Sequence, residues 1–197
     1  NEAAVKYFLM GAFATCFMLM GIALVYGATG TFDSTKIAEF IGRAGVNPAP
    51  TLMYGGVLML MVGLAFKVSA VPFHFWTPDV YDGSPNEVTT FMATIVKTAS
   101  FAAFFRLFSG SFLPVAANWT TSLWVIAALT IFTGNLTAVF QTRFKRMLAY
   151  SAIAHAGYML LALLAMNNLS QSSLLLYAAS YSIATLSAFV VMLVVIN

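Results

Sequence analysis

The sequence predicts an all-α polytopic membrane protein with about six transmembrane helices, one of them broken near Lys67–Pro72. Three observations support this. Hydrophobic residues make up 61% of the 197 and charged residues only 8%, too few polar groups to cover a water-facing surface. Six runs approach the ~20 apolar residues that cross ~30 Å of hydrocarbon. Turn formers or charges separate those runs, with no strand pattern and no room for a soluble domain. The net charge of +3 is small and scattered, which argues against a nucleic-acid partner.

The first helix is expected over residues 3–26, with the single Cys16 inside its apolar run as a buried, inert thiol. The opening "NEAAVKYF" has neither Met nor a secretory cleavage pattern and has the character of the interior of a longer polypeptide. A polar connection comes next, in which residues 34–43 form a short amphipathic interfacial helix. The second span starts after Pro50 and reaches Trp76, where "TPDVYDGSPNE" supplies turn formers. The third covers 85–108, with Pro85 in its first turn and Glu87 near the positive end of its dipole. Spans over 119–140, 146–166 and 172–196 complete the set, divided by "QTRFKR" and "NNLSQ". Arg143, Lys145 and Arg146 place their loop in the cytoplasm, and alternation puts the chain start and "TPDVYDGSP" beside it.

Two lysines lie where water is scarce. Lys97, within "FMATIVKTASFAAFF", is twelve residues past Pro85, or ~18 Å into its helix, too deep to snorkel easily. An ammonium there costs at least ~2.5–3.5 kcal/mol on insertion scales, so it faces protein or internal water. Either it is tied to backbone carbonyls as a structural group or it belongs to a proton or ion pathway. Lys67 is nearer the cytoplasmic end, so snorkelling competes with a pathway role. Five residues on, Pro72 lacks an N–H and clashes with the carbonyl of Val68, which predicts a kink or opening just beyond the lysine.

His74 lies seven residues after Lys67, on roughly the same face if the helix continues, and His155 lies mid-span in "YSAIAHAGYML". Each alone is as often a packed hydrogen-bonding residue as a proton carrier. Together with the lysines they form a candidate relay across the bundle. Two histidines without a neighbouring Cys make a poor metal site. No carboxylate lies within any apolar span: Glu2 stands at the entrance of the first helix, and Asp79, Asp82 and Glu87 flank a loop. The counter-charge expected for a buried lysine is therefore absent from the spans.

The stretches "FKVSAVPFHFWTPDVYDGSP", "VTTFMATIVKTASFAAFFRLF" and "GNLTAVFQTRFKRMLAYSAIAHAGYMLLAL" resemble the antiporter-like subunit N family of the proton-pumping NADH–quinone oxidoreductase, respiratory complex I. Sister subunits L and M and the Mrp-type sodium/proton antiporters share the "PFH-W-PD" core, while "TPDVY" and a lysine at position 97 are more similar to N. The resemblance covers essentially the whole chain. It implies a larger bundle of about fourteen helices with two inverted repeats and interrupted helices. Residues 1–110 would end the first repeat and 111–197 begin the second. It further implies that Lys67 is a pumping lysine, Lys97 a connecting lysine, and His74 and His155 members of a hydrated axis. Glu2 would match an acidic position at the cytoplasmic helix start, and the carboxylate paired with Lys67 would lie upstream of residue 1. The implied function is proton translocation coupled to electron transfer elsewhere in the complex, in a bacterial inner membrane. Partners would be the lipid bilayer and other membrane subunits, and those other subunits would bind NADH, FMN, iron–sulfur clusters and quinone. The alternative is a subunit of an Mrp-type sodium/proton antiporter or of a related hydrogenase or ferredoxin-driven ion pump.

Overall fold

Helices solvated by lipid have no reason to segregate polar from apolar faces, and most of the long helices here are apolar all round. The structure, a computed structural model, describes residues 2–43 and 51–196. It comprises α1 (Glu2–Thr29), α2 (Ser34–Arg43), α3 (Thr51–Lys67), α4 (Trp76–Gly83), α5 (Asn86–Phe91), α6 (Lys97–Arg106), α7 (Ala116–Val139), α8 (Phe144–Ala165) and α9 (Ser170–Ile196). π-helical turns at Met92–Val96 and Leu107–Ser111 join α5 to α6 and close α6, making one long span. Among the described residues, five runs are long and apolar enough to cross a bilayer: Glu2–Thr29, Asn86–Ser111, Leu113–Val139, Phe144–Ala165 and Ser170–Val195. At 17 residues α3 is short for a crossing on its own. The chain is an integral, multi-pass membrane protein.

Three expectations are corrected. The second span does not continue to Trp76: α3 stops at Lys67, so His74 is not on its face (Pro50, the expected start, lies outside the described residues). The fourth helix begins at Ala116 rather than 119, because a 3-10 turn at Leu113–Val115 leads directly into it. Cys16 is exposed rather than buried, since the uniformly apolar α1 carries no signal for which side turns inward.

Close helix packing occurs where glycine removes the side chain. A Cβ at Gly21 of α1 would sit 2.8 Å from the Gly56 carbonyl oxygen of α3. One at Gly134 of α7 would sit 2.5 Å from the Ala154 nitrogen of α8. These small-residue contacts let the helix pairs α1–α3 and α7–α8 approach backbone to backbone. At one end of the bundle the polar loops converge. Lys6 Nζ lies 2.8 Å from Glu2 and 2.9 Å from Asp79, Arg146 donates to Asp79 at 2.9 Å and Arg143 to Asp82 at 2.7 Å. Lys145 also donates to the Ser84 carbonyl at 2.6 Å. This network ties α4 to both α1 and α8. On the opposite side of the chain's alternation, α2 packs against the 107–115 turns.

The break after α3 is closed by backbone and side-chain hydrogen bonds. The Ser69 amide donates to the Phe66 carbonyl at 3.1 Å and the Ala70 amide to the Ala65 carbonyl at 2.8 Å. With Ser69 at φ +65°, this is a Schellman closure in which serine takes the left-handed position usually given to glycine. The Thr77 hydroxyl donates to Ser69 Oγ at 2.7 Å, and the Trp76 indole N–H to the Phe66 carbonyl at 3.1 Å. Val71 N–H, which no helix accepts, donates to Thr130 Oγ1 of α7 at 2.9 Å. Thr130 is wholly buried, and its hydroxyl donates to the Ile126 carbonyl at 2.5 Å. The helix therefore ends at Val68–Ser69, ahead of Pro72, because the Schellman turn closes it before the proline ring can clash.

Thr130→Val should leave the Val71 N–H buried without a partner and cost roughly 1–3 kcal/mol in equilibrium unfolding of the full-length protein in mixed micelles. Thr130→Ser should restore most of the loss, and a serine variant as weak as valine would mean packing matters more than the hydroxyl. A second prediction concerns the interfacial α2. Asp33 Oδ1 accepts from the Thr35 hydroxyl at 2.6 Å and the Thr35 amide at 2.8 Å, capping the helix. The Thr35 hydroxyl bond, then those from the Thr35 and Lys36 amides, holds the Asp33 carboxyl below its usual range. A depressed folded value means the cap contributes above the ordinary carboxylate pKa and is lost as pH falls through the depressed one. Hydrogen exchange at the Thr35 and Lys36 amides, corrected for the intrinsic rate, should quicken over that acid window and be pH-flat in Asp33→Ala.

Candidate functional site

Lys97 sits at the start of α6, directly after the π turn Met92–Val96. A π turn inserts one residue and rotates the helix beyond it, and here Lys97 faces the bundle interior. The side chain is 2% exposed, and its ammonium donates to the Ala152 carbonyl of α8 at 2.7 Å. The same ammonium lies 5.8 Å from the centre of the Tyr181 ring on α9, within cation–π range. Carbonyl contact is what the structural alternative for this lysine expects, so the ammonium's bonding alone does not separate the two readings.

The surroundings add a second fact. Beside the Ala152 carbonyl is a chamber of about 140 Å³ whose wall includes Tyr81, Ser151, His155, Tyr181 and Thr185. His155 is half-buried, and its Nδ1 lies 2.7 Å from the Tyr177 hydroxyl. Tyr158, Tyr177 and Tyr181 surround the imidazole with ring centres 5.0 to 5.9 Å away. His155 lines this chamber, and Lys97 of α6 reaches its edge through the Ala152 carbonyl, so α6, α8 and α9 meet there.

The other three candidates are placed differently. Lys67 is the last residue of α3, half-buried, with its helix ending immediately beyond it. That position puts the ammonium at the negative end of the α3 dipole, where a cation is favoured. His74 lies in the turn between α3 and α4, 8% exposed, stacked against Phe75, with a buried Nδ1 that has no hydrogen-bond partner. Glu2 stands in the ion cluster at the bundle end, 82% exposed and paired with Lys6, far from the chamber wall. Among the described residues no ion pair involves Lys67 or Lys97.

Residue-by-residue reasoning missed Thr130, Tyr177 and Tyr181. The available signal was hydroxyls inside apolar spans: Tyr177 and Tyr181 are four residues apart, on one face of a helix. Thr130 had no such marker, since its partner is a backbone amide freed by a break elsewhere.

The profile of the family described as NADH:quinone oxidoreductase/Mrp antiporter, transmembrane, matches residues 1–197. NADH-quinone oxidoreductase subunit N of Trichlorobacter lovleyi is 45% identical over 195 residues, which are 99% of this chain and 40% of the relative. Respiratory complex I from Thermus thermophilus with bound Aureothin contains a chain that superposes with TM-score 0.80 at 44% identity, over 98% of this chain and 40% of that one. The Mrp complex from Dietzia sp. gives TM-score 0.85 at 23% identity, over 95% and 34%, a likeness of fold. The chain spans about 40% of the length of the curated relatives it matches. The profile matches along all 197 residues, and this chain belongs to the NADH:quinone oxidoreductase/Mrp antiporter transmembrane family.

Proposed function

We propose that this chain is the central portion of a proton-translocating subunit N of a bacterial NADH:quinone oxidoreductase, set in the inner membrane among other membrane subunits of the complex. Residues 1–110 close one inverted repeat and 111–197 open the next. Lys67, Lys97, His155 and His74 carry the proton path, while Glu2 contributes to the polar entrance. The chain itself holds no redox group; NADH, FMN, iron–sulfur clusters and quinone belong to other subunits. One observation supports this reading most: an ammonium 2% exposed in the middle of a span, bonded only to neutral groups, next to a chamber lined by a histidine.

Its mechanism is electrostatic. Changes of charge in a neighbouring subunit, driven by redox chemistry elsewhere, act on Lys67 at the end of α3. Lys97 then receives the charge and His155 continues the path. The alternative, a subunit of an Mrp-type sodium/proton antiporter or a hydrogenase or ferredoxin-driven pump, uses the same side chains. Identity of 45% to subunit N against 23% to the Mrp chain supports the first.

Lys67→Ala and Lys97→Ala, each in the full-length protein within the assembled complex, should lower the protons moved per electron in proteoliposomes while the complex still assembles. Wild-type stoichiometry in both variants would reject the reading. Sodium flux persisting in membranes without NADH dehydrogenase activity would instead favour the alternative.

A further inference from the structure

Tyr181 is the residue at which the features of the chamber meet. It is 6% exposed, its ring face lies under the Lys97 ammonium, and its hydroxyl is buried without a hydrogen-bond partner. It lines the 140 Å³ chamber with His155 and also a second, more open cavity of about 440 Å³ bounded by His155, Ser173, Tyr177 and Ser180. His155, Tyr181 and Ala184 line both.

A phenol that is buried and unpaired costs free energy unless something satisfies it. The chamber has room for several waters at about 30 Å³ each, and Ser151, His155 and Thr185 give those waters polar partners. Resting on the proposed proton path, we infer that Tyr181 is a positioning residue for it: the ring holds the Lys97 ammonium over its face, and the hydroxyl orders the chamber water that carries the proton to His155. One N–H bond of Lys97 breaks as a water takes the proton, and that water passes one of its own to Nε2 of His155. The positive charge moves with it, leaving a neutral amine. A neutral amine has no cation–π attraction, so the ring loosens its hold once the proton has left. The step requires Nδ1–H of His155 to donate to the Tyr177 hydroxyl, which leaves the Nε2 lone pair as the accepting site.

The test uses the full-length protein in the assembled complex with Tyr181→Phe, Tyr181→Leu and Lys97→Ala, scoring protons per electron in proteoliposomes and thermal midpoint. Phenylalanine keeps the ring and deletes an oxygen that bonds to no protein group. The expected result is a several-fold fall in protons per electron with a midpoint unchanged or raised, and a further fall for leucine. A purely structural role cannot give that combination. Wild-type stoichiometry in Tyr181→Phe, or a fall accompanied by a lowered midpoint, overturns the inference. Loss of pumping in Lys97→Ala with wild-type Tyr181→Phe sinks the tyrosine's role alone, whereas wild-type pumping in Lys97→Ala removes the proton path itself.

Discussion

Hydrocarbon offers no water to a backbone amide, so any interruption of a helix at membrane depth has to be bonded from within the protein. The interruption after Lys67 is the feature on which the rest of this bundle depends. Its closing turn is completed by Ser69 and Ala70, its indole and hydroxyl bonds by Trp76 and Thr77, and its last free donor by Thr130. The first two sources are local. Thr130 is not: it reaches from α7 across 59 residues of sequence. The break is therefore stable only when α7 is docked, and α7 is docked through its glycine-mediated contact with α8. In this way the helix that carries Lys67 and the helix whose carbonyl receives Lys97 are held in a single framework.

What the break gains for chemistry is a charge position. In an unbroken helix Lys67 would sit mid-span with neither end of a dipole nearby. Ending α3 at the lysine puts it in the last turn, at the negative end of the helix dipole. α4, the continuation beyond the break, is anchored separately by Asp79 to Lys6 and Arg146 and by Asp82 to Arg143. Charge is thus fixed in pairs at the bundle end and left unpaired in its interior. The aromatic packing of Trp76 against Tyr7, Phe66 and Tyr81 fills the space between.

Composition and run length were enough to read the helices, and five long spans plus one interrupted span agree with them. The interruption was legible too, from Pro72, and it lies just beyond Lys67 as expected. Proline marks where a helix cannot continue, whereas the Val71 amide that the break frees is accepted by Thr130, 59 residues away and outside any local window. Lys97 was legible because a charge in an apolar run must face inward. Its partners were not, since the Ala152 carbonyl and the Tyr181 ring are 55 and 84 residues away and carry no pattern of their own. The exposure of Cys16 was illegible for the reason that made α1 a span: a helix apolar all round does not announce its inner face.

The interior lysine is held by weak partners, and that bears on transport. All six carboxylates of the chain are at positions 2, 33, 39, 79, 82 and 87, away from the chamber beside Lys97. A carboxylate bonded to a buried ammonium makes removal of either charge expensive, so such a pair favours retention of the proton. A carbonyl oxygen and a ring face also attract the cation, but both are neutral, and neither becomes an orphaned buried charge when the amine turns neutral. Cation–π attraction contributes about 0.5–2 kcal/mol, small enough to be overcome by a moderate change in the surrounding field. An ammonium that must be both present and releasable is better served by dipoles than by ions, and dipoles are what α8 and α9 provide around Lys97.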